Sequence, residues 1–245
     1  MYLAVLLPSI FALYALYKNK ITVPGIIAAW IMGIIITYIG RIPAFIALSL
    51  TFVLTILSDK LKNQEEKRTI YQMFSNVLTA TCALIIYYFK QSEIFIVMYY
   101  AVIGGSLADT LASSIGFLAK GKNINPLTFK LMKKGESGAV SSLGLSASFL
   151  AGLIIGGVYY LYDGYIVNYL IIILMSGFGS YVDSVMGAYL QGKFKCPKCH
   201  KQVENKMHCG KKTKLIHGIR FIDNDVVNLL SNIIVFVITY LIMII

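Results

Sequence analysis

Charged residues are scarce in this sequence. Asp, Glu, Lys and Arg make up 13% of the 245 residues, and the acidic residues number 11 in all. A soluble domain carries about 25% charged residues, so this composition excludes an ordinary soluble globular protein. Histidine is also scarce, because the chain has 3 His residues and all of them lie within residues 200–217. The apolar segments therefore contain no histidine for catalysis.

Two motifs that the sequence suggests at first sight are incomplete. The first apolar segment lacks the basic region and the A-x-A-like cleavage site of a signal peptide, so we expect a retained span. Residues 187–193 read G-A-Y-L-Q-G-K, like the start of a P-loop, but Phe194 stands where Ser or Thr is required. The segment also follows a predicted helix rather than a strand, which excludes a Walker A loop.

Hydrophobic residues are abundant, at 58% of the chain. They recur in runs near the ~20 residues that cross a bilayer as a helix, which predicts an all-α, polytopic membrane helix bundle. We predict about eight transmembrane helices, at residues 2–17, 21–39, 42–58, 74–89, 94–118, 137–161, 165–190 and 225–244. A single membrane domain is expected over 1–245, with N-terminal helices at 1–92, a core at 93–192 and 217–245, and a polar Cys/His loop at 193–216.

The basic residues predict the orientation. The first, third, fifth and seventh loops hold 2, 4, 5 and 9 of the 22 Lys and Arg residues, and Arg41 and Lys90 are the two left for the other loops. Because basic loops stay cytoplasmic, both termini are expected outside. The net charge of +11 then reflects topology, anionic lipids and phosphorylated substrates rather than nucleic acid.

A six-residue phrase occurs twice within apolar helices. Residues 105–110 read G-S-L-A-D-T and residues 179–184 read G-S-Y-V-D-S. Each phrase places a carboxylate, Asp109 or Asp183, four residues after Gly and three after Ser, on one helix face. An ionisable residue in a membrane span is costly, so each aspartate is a functional candidate. The repetition suggests one site built from two related halves.

The predicted topology brings further polar groups to the level of these aspartates. Asp109 lies ~24 Å along its helix from the outer end, and Asp183 lies ~27 Å along its own, so both approach the cytoplasmic leaflet. Glu136 is expected to open the span 137–161 from that side. The last span opens there with Asp223, Asn224, Asp225 and Asn228.

Two interpretations of these groups stay open. Glu136 and Asp225 suit capping, because a carboxylate at a helix N-terminus complements the dipole. Asp109 and Asp183 lie where a negative charge opposes the dipole, so they serve either interhelical hydrogen bonding or metal binding. Mg²⁺ is usually held by one or two carboxylates plus substrate phosphates. Residues 135–144, G-E-S-G-A-V-S-S-L-G, likewise suit either an anion site or close helix packing.

Three of the four cysteines lie in one loop. Residues 196–210 read C-P-K-C-H-K-Q-V-E-N-K-M-H-C-G, and thiolates with an imidazole at this spacing suit tetrahedral Zn²⁺. The predicted structural Zn²⁺ ligands are Cys196, Cys199, His208 and Cys209. His200 and His217 are alternatives for the fourth ligand. Free thiols and a disulfide are the competing interpretations, and a cytoplasmic loop disfavours the disulfide.

The motifs together resemble an integral-membrane family that includes a plant phytyl-phosphate kinase of tocopherol synthesis and an animal multi-spanning relative. The resemblance rests on L-A-D-T-L-A-S-S-I-G (107–116), G-E-S-G-A-V-S-S-L-G (135–144), G-F-G-S-Y-V-D-S-V-M-G-A-Y-L-Q (177–191), C-P-K-C with H-C-G, and I-D-N-D-V-V-N-L-L-S (222–231). It covers most of residues 100–232, while the first hundred residues match in hydropathy alone. Two departures are Ser113-Ser114 in place of the family's S-E, and Asp223-Asn224-Asp225 in place of paired asparagines.

The resemblance implies transfer of a phosphoryl group from a nucleoside triphosphate, CTP in the plant case, to an isoprenoid monophosphate lipid, giving the diphosphate. The acceptor is already a phosphate, so the reaction needs no strong general base. A CTP-dependent cytidylyltransferase that makes a CDP-lipid and a non-enzymatic lipid or ion carrier are the alternatives. The polar groups gather at one face rather than at the midplane, which favours an enzyme over a carrier.

The observations and the resemblance combine into one site assignment. Asp109 and Asp183 are the predicted catalytic residues and bind Mg²⁺ together with Asp225. The predicted substrate- and phosphate-binding residues are Gly105, Ser106, Thr110, Ser113, Lys134, Gly135, Glu136, Ser137, Gly138, Ser141, Gly179, Ser180, Ser184, Gln191, Asn224 and Asn228. We expect the protein in the cytoplasmic (plasma) membrane, with the active site on the cytoplasmic face; a homo-oligomer is compatible with the sequence.

Overall fold

A computed structural model describes residues 2–61 and 67–245, and within them the chain forms seven α-helices and seven short β-strands. The helices are α1 (Tyr2–Tyr17), α2 (Val23–Leu61), α3 (Ile70–Lys90), α4 (Glu93–Gly116), α5 (Ser142–Asp163), α6 (Ile166–Tyr189) and α7 (Asn224–Met243). The strands are β1 (Asn123–Ile124), β2 (Leu131–Met132), β3 (Lys193–Lys195), β4 (Gln202–Val203), β5 (Met207–His208), β6 (Lys211–Lys212) and β7 (Lys214–His217). The bundle is helical as predicted, and the strands lie in its two long loops.

Within the described part of the chain, six helices, α2 to α7, are long and apolar enough to cross a membrane. Helix α1 is apolar but shorter, at 16 residues. The eight predicted spans correspond to these seven helices because α2 contains two of them. The count of eight membrane crossings and the outward placement of both termini stay predictions.

Helix α2 folds back on itself at Arg41. This residue has φ 58° and ψ −162°, which is not helical backbone. Ala29 and Phe52 line the same cavity although 23 residues of straight helix would separate them by about 34 Å. At the two ends of α2, Asp59 forms an ion pair with Arg68, and the amide of Thr22 donates to the Arg68 carbonyl over 2.9 Å. The reversal therefore falls between the predicted spans 21–39 and 42–58.

Helix α5 begins later than predicted, at Ser142 instead of residue 137. Ser141 is its N-cap, with the Gly144 amide donating to Ser141 Oγ over 3.1 Å. Gly138 precedes it with φ 81°, a left-handed conformation that a helix cannot contain, and it packs against the backbone of α6. Glu136 consequently lies in a loop, so the interpretation of Glu136 as a cap of this helix is wrong.

Helix α4 forms the centre of the bundle. Its residues from Val97 to Ala108 are all buried, and α3, α5, α6 and α7 pack around it. A helix that is apolar and buried on every side belongs to the interior of a bundle. Large apolar side chains of the surrounding helices, such as Leu161 and Val167, are exposed on the outer surface, where lipid would cover them.

The four basic loops meet at one end of the bundle. The Thr22–Arg68 hydrogen bond joins the first loop to the third, and an ion pair joins Glu136 of the fifth loop to Lys193 of the seventh. Residues of the third, fifth and seventh loops line one cavity there. Arg41 lies at the reversal within α2, away from the two ends of α2 that meet these loops.

Candidate functional site

The two repeated phrases cross at their glycines. A Cβ on Gly179 of α6 would lie 3.3 Å from Gly105 Cα of α4. One helical turn nearer the basic loops, the carboxyl groups of Asp109 and Asp183 are in hydrogen-bonding contact with each other. Helices α4 and α6 run in the same direction, so the equal Gly-to-Asp offset in both phrases brings the two aspartates together.

The paired aspartates lie in the wall of a cavity of about 670 Å³. Seven of the 11 acidic residues in the chain line it, namely Asp59, Asp109, Glu136, Asp183, Glu204, Asp223 and Asp225. Among the described residues, Arg68 is the cationic side chain in its wall. This excess of negative charge repels an anionic ligand unless cations enter with it.

Two polar side chains of α7 complete the surroundings of Asp183. Asp183 is buried, and Ser231 Oγ donates to its Oδ2 over 3.3 Å. Asn228 is 9% exposed and lines the cavity, and its Oδ1 has no hydrogen-bond partner within residues 2–61 and 67–245. A buried oxygen without a partner is costly. Carboxylate and amide oxygens are the ligands of a hard divalent cation, so these residues fit Mg²⁺.

The cavity wall gathers most of the predicted site residues. Alongside the aspartates it contains Thr110, Ser113, Gly135, Glu136, Ser137, Gly138, Ser141, Ser180, Ser184, Asn224 and Asn228. They come from the C-terminal ends of α4 and α6, the N-terminal ends of α5 and α7, and the loop before α5. The amides of a helix N-terminus favour an anion, so this arrangement suits phosphate once cations offset the carboxylates.

Three predicted phosphate-binding residues pack inside the bundle instead. Gly179 permits the close crossing of α4 and α6, and Gly105 lies opposite it at that crossing. Ser106 is buried, where its Oγ lies 3.0 Å from the Asn76 carbonyl and 3.2 Å from Asn232 Oδ1. These three residues lie outside the cavity wall, so their positions correct the sequence-based assignment.

Two more predicted residues anchor the loop before α5. Gln191 is buried, and its Oε1 accepts a hydrogen bond of 2.6 Å from Ser137 Oγ. Lys134 Nζ lies 5.0 Å from the centre of the Phe117 ring, a cation–π contact. Neither side chain lines the cavity, so their contribution is to hold the loop against α6 and α4.

Lys193 is an anchor that the sequence analysis missed. Its side chain is buried, and its Nζ donates to Glu136 Oε1 over 3.3 Å and to the Ser137 carbonyl over 3.1 Å. By its position in the seventh loop, Lys193 is one of the basic residues that predict the topology. In strand β3 the next lysine, Lys195, is exposed, so the sequence carries no signal that separates the buried lysine from the exposed one.

Other cavity residues were also not predicted from the sequence, among them Asp59, Arg68, Glu204 and Asn205. Asp59 lies near the end of α2 and Arg68 just before α3, in a charged segment that resembles an ordinary solvated loop. Glu204 and Asn205 lie between β4 and β5, inside the Cys/His loop. Their relation to the aspartates depends on how distant segments fold together, which spacing along the chain does not encode.

The Cys/His loop folds as two small hairpins. Cys196 and Cys199 lie at the turn between β3 and β4, and His208 and Cys209 lie at the turn between β5 and β6. Their four ligand atoms lie within 4.8 Å of one another, which confirms the predicted quartet as a cluster that could hold a metal ion. His217 faces elsewhere, with its Nε2 3.0 Å from the Ala188 carbonyl.

The donors in this cluster suit a soft divalent metal. A hydrogen bond from the Cys199 backbone amide lowers the pKa of the Cys196 thiol to about 6, which favours the thiolate. His208 Nδ1 lies 3.5 Å from Cys199 Sγ and 3.2 Å from Cys209 Sγ. Three thiols and one imidazole are a donor set that could hold Zn²⁺ with four protein ligands.

Comparison with known proteins places the chain in a family. The family model described as "Integral membrane protein DUF92" matches residues 6–236. Protein PGR of Arabidopsis thaliana is 31% identical over 157 residues, which cover 58% of this chain and 54% of that protein, so the chain spans about half its length. An uncharacterized membrane protein of Methanocaldococcus jannaschii is 25% identical over 201 residues, covering 79% of this chain and 84% of that one. No solved structure matches the chain. The chain therefore belongs to the DUF92 family of integral membrane proteins.

Proposed function

We propose that this protein is a membrane-embedded prenyl-phosphate kinase, which transfers a phosphoryl group from a nucleoside triphosphate to an isoprenoid monophosphate. The contact between Asp109 and Asp183, in a cavity lined mostly by carboxylates, is the observation that carries the proposal. The family resemblance favours CTP as donor. The distribution of basic residues favours the cytoplasmic membrane and a cavity that opens to the cytoplasm, where nucleotides are available.

Mg²⁺ is the cofactor in this proposal. Asp109, Asp183 and the unpartnered Asn228 oxygen would hold the ion, and Asp225 lies in the same cavity wall. When bound, the ion neutralises phosphate charge and stabilises the charge that develops during transfer. The seven carboxylates make divalent cations a condition for phosphate entry, whereas a cavity with many lysines would bind phosphate directly.

The transfer step needs no base from the protein. An oxygen of the acceptor monophosphate attacks the γ-phosphorus of CTP, the new P–O bond forms, and the bond between the β-phosphate and the γ-phosphorus breaks. CDP leaves with the electron pair of that bond, and the lipid leaves as the diphosphate. The protein's contribution is to align donor and acceptor: Arg68 contacts a phosphate, and the first turn of α5 lines the same cavity.

The Cys/His cluster has a structural role in the proposal. Zn²⁺ at Cys196, Cys199, His208 and Cys209 holds together two hairpins that are too small to have a core of their own. The same hairpins carry Glu204 and Asn205 to the cavity wall. Metal binding in the loop therefore stabilises one side of the active site.

The proposal is tested with purified protein in lipid nanodiscs, CTP, Mg²⁺ and phytyl or geranylgeranyl monophosphate. We expect a prenyl diphosphate and CDP in equal amounts, identified by mass spectrometry. A CDP-lipid with pyrophosphate would replace the kinase by a cytidylyltransferase. Absence of nucleotide consumption with every donor and lipid phosphate tested would overturn the enzyme proposal in favour of a carrier.

Variants of the aspartates test the site itself. We expect Asp109→Asn and Asp183→Asn each to lower turnover at least about 100-fold, because each removes a charged metal ligand. Asp163→Asn is the matched control, since Asp163 ends α5 at the opposite end of the bundle. Unaltered turnover in both active-site variants, with the fold retained, would defeat the assignment.

A further inference from the structure

A second cavity lies beside the first one, between α1, the two arms of α2 and α3. Its volume is about 90 Å³, and its wall is mostly apolar. Phe11 of α1, Ala29 and Phe52 of the two α2 arms, and Val77 of α3 are in this wall. The wall contains no acidic residue among those the structure describes, in contrast to the seven carboxylates of the first cavity.

The two cavities meet at three shared residues. Arg68, Asn76 and Thr110 line both of them, so the polar wall passes directly into the apolar one. Asp109, the residue before Thr110 on α4, lines the polar cavity. Arg68 lies at this junction, where its guanidinium also pairs with Asp59. A molecule with an anionic head and a hydrocarbon tail matches both sides of such a junction.

We propose that the apolar cavity binds the first isoprene units of the acceptor lipid while Arg68 binds its phosphate. This assignment rests on the proposed kinase function and adds the location and orientation of the acceptor. The three shared residues favour an amphiphile, because neither a nucleotide nor a free phosphate carries a hydrocarbon group that would fill the apolar cavity. Hydrophobic burial of the tail and charge pairing of the head then act at adjacent points.

The cavity volume also bears on the length of the tail. About 90 Å³ holds the beginning of a prenyl chain and not a C20 chain. The rest of a long tail must leave between the helices into the bilayer. We therefore expect affinity to depend on the first isoprene units and to change little with further chain length.

The experiment measures binding without turnover. An isoprenoid monophosphate carrying a diazirine in its first isoprene unit is photolysed with the protein in nanodiscs of phosphatidylcholine, and the labelled peptides are identified by mass spectrometry. We expect labels on α1 and on both arms of α2, and competition by unlabelled prenyl monophosphate. Labels confined to the outer surfaces of α5 and α6, or equal competition by phosphatidic acid, would overturn the proposal.

Paired variants sharpen the experiment. Ala29→Phe fills the apolar cavity and is expected to lower labelling at least about tenfold, whereas Ile27→Phe, on the bilayer-facing side of the same helix arm, leaves it unchanged. Arg68→Gln is expected to weaken capture of the phosphate, with Lys67→Gln as its exposed control. Equal labelling in Ala29→Phe and Ile27→Phe would overturn the tail site. Labels on α1 and on both arms of α2 without any turnover would instead reject the kinase function and keep the binding site.

Discussion

Gly179 of α6 touches Gly105 of α4 one helical turn away from the Asp109–Asp183 pair, and no side chain separates the two backbones there. A Cβ on Gly179 would lie 3.3 Å from Gly105 Cα and 2.9 Å from Val235 Cγ2. We expect Gly179→Val to push the helices apart, to lower stability by about 1–3 kcal/mol and to lower turnover more than tenfold. Thermal unfolding in detergent and product formation are the two measurements.

Two other glycines provide controls for Gly179→Val. A Cβ on Gly157 of α5 would have no atom within 4 Å, and a Cβ on Gly105 would have neighbours no closer than 3.9 Å. Gly157→Ala and Gly105→Ala should therefore keep stability and turnover near those of the parent protein. Equal damage from all three substitutions would show that helix glycines matter through flexibility and not through the crossing.

Asn228 separates metal binding from general folding. Replacing Asn228 by Leu removes the unpartnered oxygen from the cavity wall, and we expect the Mg²⁺ concentration for half-maximal turnover to rise about 10–100-fold. Asn228→Asp keeps an oxygen donor at the same place and should retain binding at low Mg²⁺. The measurement is a Mg²⁺ titration of turnover at saturating substrates. An unchanged midpoint in Asn228→Leu would remove Asn228 from the metal site.

The aspartate pair shows what the sequence could predict. The two repeated phrases have equal internal spacing, and equal spacing on two parallel helices suffices to align Asp109 with Asp183. The Cys/His quartet was predictable because its four residues lie within 14 residues of sequence at a spacing typical of zinc sites. The quartet depends on local spacing alone, whereas the aspartate pair also depends on the common direction of α4 and α6.

Sequence-based prediction failed at three places, namely Lys193, Arg68 and the start of α5. Lys193 contacts Glu136, which is 57 residues away in the sequence. Arg68 lines the cavity because α2 folds back at Arg41. Small polar residues over 135–144 suit the first turn of a helix, but contact with α6 holds Gly138 in a left-handed conformation and delays α5 to Ser142. Tertiary contacts decide all three, and the local sequence does not contain them.

The Cys/His cluster is expected to bind one Zn²⁺ per chain. Cys199→Ser should abolish the bound zinc, lower the unfolding temperature of the loop and reduce turnover, because the two hairpins also carry Glu204 and Asn205 to the cavity. Cys82→Ser, in the exposed face of α3, is the control and should change none of these quantities. Metal analysis of the purified protein is the primary measurement. A protein without bound zinc that keeps full turnover would contradict the prediction.

The ion pair between Lys193 and Glu136 is expected to hold the loop before α5 in place. Lys193→Met leaves Glu136 without its charge partner and should cost about 2–3 kcal/mol, below the ~3–5 kcal/mol of a fully buried pair because the Glu136 side chain keeps 27% exposure. Lys195→Met, two residues along the same strand and exposed, should be nearly neutral. Apparent unfolding free energies in a denaturing detergent provide the comparison.

A double-mutant cycle then tests whether the two side chains act as a pair. If they do, Glu136→Gln combined with Lys193→Met should destabilise the protein less than the sum of the single changes, since the second change removes a charge that has already lost its partner. Strict additivity would mean that Lys193 acts through its other hydrogen bond, to the Ser137 carbonyl. In that case the loop would be fixed by its backbone, and Glu136 would be available to the cavity as a carboxylate.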